Sequence, residues 1–181
     1  MKCIPKYEQE YLACLERNAE DTRRLFSNEG RIERERMVVR AFLRCIGESF
    51  VDGEIRVGQR EPVDIVFREA TFQIKMMLGG RQPGVVWRDR QRLYRNAKGL
   101  NDPKHPVVRP WTPPIPISFA DAVEAVAREL AGYVSHYGGS AGCSTIDALV
   151  YVNLEERYLW PTEPELPAHV ADELNAQGWR S

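Results

Sequence analysis

The chain has 181 residues, 43% hydrophobic and 28% charged, the composition of a folded domain that can bury its own core without disulfides or a structural metal. No apolar run approaches the roughly 18 residues of a membrane span, and the acidic, amphipathic start MKCIPKYEQEYLACLERNAED lacks the continuous apolar stretch of a signal peptide. A net charge of −1 conceals a split, since residues 1–100 carry 20 basic and 15 acidic side chains while residues 101–181 carry 5 and 11. That segregation suits a polyanionic partner for the first part, although a dipolar soluble surface accounts for the same numbers.

Residues 7–26 read as an amphipathic helix, with Tyr7, Tyr11, Leu12 and Leu15 at helical spacing. A polar break at Ser27-Asn28-Glu29-Gly30 precedes a second helix over 31–46, whose stripe is Ile32, Val38, Val39, Phe42, Leu43 and Ile46 and which Gly47 ends. Three short β-like runs follow, at 50–57, 63–67 and 71–77, joined by connections short enough to require antiparallel neighbours. Gly79-Gly80 breaks the chain, 88–98 forms a short basic helix, and six prolines make Pro103 to Pro116 an extended loop. Ser118, with Asp121 three residues later, opens a helix that runs to about Gly138. Residues 146–154, IDALVYVNL, form a strand apolar enough to be buried on both faces, and a last helix spans 167–177. The four cysteines are scattered, and His105, His136 and His169 are not at zinc-ligand spacing to them. Cys14 and Cys45 fall in apolar helical patterns and are expected in the core.

The order predicts one domain over 1–181: an N-terminal helix at 5–27, an α/β core over about 30–155 with a basic insertion at 80–116, and an acidic C-terminal tail at 156–181. The core is a mixed sheet, a three-strand meander plus a further strand, flanked by helices.

Two polar residues stand where a core strand has no use for them. Asp64 lies between Val63 and Ile65, and Lys75 follows Gln73-Ile74 in the next strand. Alternation gives Gln73 and Lys75 one face, and the tight connection brings Asp64 within about one residue of register with them. A carboxylate and an amide oxygen there suit Mg²⁺, and a lysine beside them can polarise a phosphate. Glu35 falls at the N-terminal end of the buried stripe of the second helix, the better placed of the two glutamates there to face the sheet. Glu54 and Glu69 are substitute ligands by position, although each also suits a solvated surface.

Glu35, Val63-Asp64 and Gln73-Ile74-Lys75 together resemble the PD-(D/E)xK nuclease superfamily, and the helix, meander, helix, strand order resembles its core. The Arg-rich helix around Glu35 is similar to the start of archaeal Holliday-junction resolvases, and the whole chain resembles bacterial proteins described as candidate endonucleases. The resemblance implies a restriction-endonuclease-like core. It implies catalytic residues Glu35, Asp64, Gln73 and Lys75, with Glu35, Asp64 and Gln73 holding Mg²⁺ or Mn²⁺. Gln73 stands where the superfamily pattern has an acid, and a neutral amide implies weak metal binding. The basic segment adds Arg81, Arg88, Arg90, Arg92, Arg95 and Lys98, with Trp87 and Tyr94 interleaved, as the expected DNA contacts. A solvated helix anchored by its aromatic residues is the plainer account of that segment. The expectation is a cytoplasmic metal-dependent endonuclease acting on DNA, with a homodimer open to it. The alternatives are a catalytically degenerate fold that binds nucleic acid, and a regulatory domain whose acidic C-terminal part binds a protein.

Overall fold

In the computed structural model, residues 6–78, 82–108, 115–153, 157–159 and 166–179 are described. Gly79-Gly80, Arg81, Cys3 and the prolines at 110, 113 and 114 lie outside them. The described chain forms two compact units, one from residues 1–34 with 81–113, the other from 35–80 with 114–181.

The first unit is built on two helices, α1 (Lys6–Leu25) and α3 (Pro83–Asn96), which pack on each other. Leu12 and Ala19 supply the buried stripe of α1, and Pro83 and Val86 that of α3. The basic helix starts at Pro83 rather than at 88, because proline is pre-organised for the first turn of a helix. Cys14 falls off the α1 stripe and is exposed, as is Cys45 at the last position of α2, so neither is the core residue expected. Beyond α3 the chain turns on Asp102. Its buried carboxylate accepts the backbone N–H groups of Lys98 (2.8 Å) and Lys104 (2.9 Å). Those two donors hold its carboxyl below the usual carboxylate range.

The second unit is a four-stranded sheet between helices. α2 (Arg31–Cys45), whose first turn precedes this unit, leads through a 3-10 turn at Asp52–Glu54 into β1 (Ile55–Val57), β2 (Ile65–Phe67) and β3 (Ala70–Leu78). All neighbours in this meander are antiparallel, as the short connections predict. β5 (Asp147–Asn153) then joins β3 in parallel, giving the order β1-β2-β3-β5. β5 is therefore an edge strand, and its residues from Asp147 to Val152 are half-buried rather than enclosed on both faces. β4 (Ile115–Ile117) and β6 (Arg157–Leu159) form a separate parallel pair that the proline-rich sequence gave no reason to expect. α4 (Phe119–Ala131) is shorter than predicted. Its N-cap is as read, with the Ser118 hydroxyl accepting the Asp121 N–H at 3.0 Å. A short α5 (Ser140–Cys143) and α6 (Ala168–Gln177) complete the unit.

The sheet has two distinct faces. Ile55, Ile65, Phe67, Phe72 and Ile74 project toward Val39, Leu43 and Phe42 of α2. The other face meets Leu130, Tyr133 and Tyr137 through Ala148 and Val150, with Cys143, Ile146 and Trp179 in the same cluster. Arg68 fixes the β2–β3 turn. It adopts φ +52° and donates to Glu48 (2.5 Å), Glu54 (3.0 Å) and the Ser49 carbonyl (2.8 Å).

Candidate functional site

Register carries Asp64 to the site. The pair Ile65↔Phe72 sets Asp64 opposite Gln73, and the Asp64 N–H donates to the Phe72 carbonyl at 2.9 Å. The Asp64 carbonyl accepts the Gly58 N–H at 2.8 Å. This crossing needs glycine, because a Cβ at residue 58 would collide with the Val63 carbonyl. Beyond Asp64 the strand alternation fails, since Val63 packs with the tyrosine side of the sheet.

The side chains of Asp64 and Gln73 are both buried, 8% and 6% exposed. Asp64 Oδ2 accepts two donors, the Gln73 side-chain Nε2–H and the Ile74 backbone N–H, the latter at 2.8 Å. A buried carboxylate needs such partners, and charge-assisted bonds of this kind are roughly twice as strong as neutral ones. Gln73 thus turns its amide nitrogen, not its oxygen, toward the carboxylate.

Lys75 shares the face of Gln73, two residues along β3. Its Nζ stands 4.3 Å from the centroid of the Tyr133 ring and 5.2 Å from that of Tyr137. Two aromatic faces attract the ammonium through their quadrupoles and hold it in place. The Tyr133 hydroxyl donates to Glu129 at 3.2 Å, and Tyr137 packs edge-on against Trp179, their ring centroids 5.7 Å apart. Burial, followed by the charge of Asp64, pushes the Tyr137 phenol up to about 12. Gly138 and Gly139, both at positive φ, reverse the chain directly after Tyr137. Gly139 then caps a short helix.

Glu35 is buried, 7% exposed, in the stripe with Val38, Val39 and Leu43. The helix that carries it covers the Phe72–Ile74 face, whereas Gln73 and Lys75 project from the opposite one. The two substitute ligands lie elsewhere. Glu54 is tied to Arg68, and Glu69 lies in the hairpin turn at the far end of β2 from Asp64.

The predicted DNA contacts belong to the first unit. Arg95 is bound to Glu16 at 2.7 Å, and Arg90 lies over the Trp87 ring at 4.5 Å. Arg88 is 3.9 Å from Asp89, and Arg92 is exposed. Tyr94 is half-buried, and Lys98 is exposed with its backbone N–H on Asp102. The tyrosine seat of Lys75 was missed from sequence, although Tyr133 and Tyr137 at i, i+4 behind the α4 stripe were the available signal.

The sequence pattern of a family described as "Putative endonuclease, protein of unknown function (DUF1780)" matches residues 7–181. In three dimensions the chain is similar to a protein of unknown function from Pseudomonas aeruginosa strain PAO1, described as of the monooxygenase superfamily. The TM-score is 0.56 at 23% identity, over 96% of this chain and 77% of that one, a likeness of fold alone. No curated protein matches the chain. Among the described residues, no helix is long and apolar enough to cross a membrane.

Proposed function

The chain belongs to this family, whose description reads "putative endonuclease", and from that premise we propose that it hydrolyses DNA phosphodiester bonds with Mg²⁺ or Mn²⁺. The observation that carries the reading is the group on one face of β2 and β3: a buried Asp64 carboxylate, Gln73 against it, and Lys75 held two residues on. The order of α2, antiparallel meander, α4 and parallel β5 supports a restriction-endonuclease-like core of the PD-(D/E)xK type. The free thiols of Cys14, Cys45 and Cys143 suit a cytoplasmic setting.

The donor types fit a lightly held divalent ion. Asp64 is a buried carboxylate, and Mg²⁺ takes few protein oxygens while keeping its waters. Among the described residues no three His, Cys, Asp or Glu side chains gather as a ready cage. Asp64 would hold the ion, joined by the Gln73 amide oxygen once that amide turns over, whereas Glu35, carried by the helix on the opposite face of the sheet, would not share it. When bound, such an ion polarises a phosphoryl oxygen and acidifies a water. Asp64 keeps its orientation through the Ile74 N–H whichever way the amide faces. Lys75 offers its ammonium to the charge that gathers on the phosphoryl oxygens as water attacks in line. Its tyrosine seat fixes that charge in advance, which removes a reorganisation cost from the chemical step.

One observation favours a second reading, a nuclease fold that binds nucleic acid without cutting it. The Gln73 N–H already satisfies Asp64. Nicking of supercoiled plasmid in Mg²⁺ or Mn²⁺ separates the two. D64N and K75M are each expected to lower cleavage at least about a hundredfold, the scale of losing one charge-stabilising group. Undiminished cleavage by D64N would sink the nuclease reading, and wild-type binding without cleavage would favour the second.

A further inference from the structure

We propose that the open face of the β1–β2–β3 meander is a phosphate-binding groove, in which Arg56 and Arg60 hold the backbone of the nucleic-acid strand that reaches Asp64. This rests on the nuclease reading for its ligand, and on separate residues for its site.

The groove has a volume of about 420 Å³ and is lined by Arg56, Gln59, Arg60, Val63, Val66 and Thr71 among others. Its floor is one cross-strand row, since Arg56 pairs with Val66 and Val66 with Thr71. That row lies on the face opposite Ile55, Ile65 and Phe72, which α2 covers. Asp64 is two residues from Val66, and Gln73 two residues from Thr71. The candidate site is therefore the next row on the same face, about 6.8 Å away at the antiparallel strand rise.

The charge at this groove is unspent. Arg40 is bound to Asp52 at 3.0 Å, and Arg68 takes both Glu48 and Glu54. The acids closest in sequence to Arg56 thus already serve other arginines. Among the described residues Arg56 and Arg60 enter no ion pair, and both are exposed. Guanidinium groups match phosphate oxygens with two parallel donors. Val66 and Val63 offer an apolar floor to the sugars, and the Gln59 amide adds a donor and an acceptor. A polyanion that runs along neighbouring rows would meet the arginines in one and Asp64 in the next.

The test is fluorescence anisotropy of a labelled 20-base-pair DNA duplex in EDTA between 50 and 200 mM salt, run beside plasmid nicking in Mn²⁺. Two phosphate contacts contribute about 1.8 to the slope of log affinity on log salt. Over that fourfold salt range wild type should lose about tenfold more affinity than R56A/R60A. R56K/R60K should keep most of the slope, which separates charge from any effect on folding. An unchanged slope in R56A/R60A, with wild type still binding and cutting, overturns the groove and leaves the nuclease reading standing. A reduced slope without cleavage supports the groove and removes the nuclease reading. No wild-type binding at 50 mM salt and no cleavage overturns both.

Discussion

Replacing Gln73 by glutamate sets a second carboxyl against Asp64 in a pocket where both side chains are more than nine-tenths buried. Two such charges about 4 Å apart repel by about 4 kcal/mol at an effective dielectric of about 20. Protonating one of them avoids the repulsion. From an ordinary glutamate value near 4.3, that costs about 3.7 kcal/mol at pH 7, and the O–H then replaces the lost amide donor. Either route predicts that Q73E is less stable than wild type by roughly 4 kcal/mol at pH 7 in EDTA. The sign with pH follows. The introduced carboxyl titrates higher in the folded state than in the unfolded one, so its penalty shrinks as pH falls, to about 1 kcal/mol at pH 5. Mn²⁺ at about a hundred times its dissociation constant should return about 2.7 kcal/mol at pH 7. Urea unfolding followed by circular dichroism, at both pH values and with or without Mn²⁺, measures all three quantities. An unchanged urea midpoint for Q73E at pH 7 in EDTA would mean that the two side chains do not share a closed site. A pH-dependent penalty that Mn²⁺ does not relieve would remove the metal from the argument.

Ultraviolet titration should find Tyr137 ionising near 12. In D64N that value should drop, because the carboxylate charge is its second cause after burial, and an unmoved value would separate Tyr137 from Asp64. Asp102 is held low by two backbone donors, so its stabilisation is complete above its unfolded value of about 3.9 and is lost as pH falls through the folded one. Thermal melts of wild type and D102N should therefore differ at pH 7 and converge toward pH 2, and a constant difference would assign the residue another role.

The meander was legible because its signals are local. Period-two alternation and tight turns fix both the register and the face on which Gln73 and Lys75 project, and Asp64 follows from the register. The hydrogen bond between Asp64 and Gln73 was not legible, because sequence does not say which end of an amide faces a carboxylate. Glu35 shows the limit of a helical stripe. Periodicity says that it faces the sheet, but not that its helix lies across from the Gln73 face. Cys14 and Cys45 were misjudged because an apolar neighbourhood in sequence need not share the buried side of a helix. β4 and β6 have three residues each, too short to show a period, and β5 reads as doubly buried although it ends its sheet. Arg95 had the right composition for a phosphate contact, yet Glu16 lies 79 positions away and meets it only in the fold.

Chain connectivity orders the assembly of the second unit. β1 and β2 are joined by the seven residues from Gly58 to Asp64, whereas β5 reaches β3 only after a loop of roughly 70 residues between Leu78 and Asp147. A tenfold longer loop carries about 2 kcal/mol more closure entropy, so the hairpins and α2 form at lower entropic cost than the parallel pair. The Asp64–Gln73 contact thus belongs to the early, locally connected part of the fold, while the Tyr133–Tyr137 seat for Lys75 arrives with the late one. During refolding, pulse-labelled hydrogen exchange should protect the Ile74 amide, which bonds to Asp64, before the amides of β5. Simultaneous protection of the two would contradict that order.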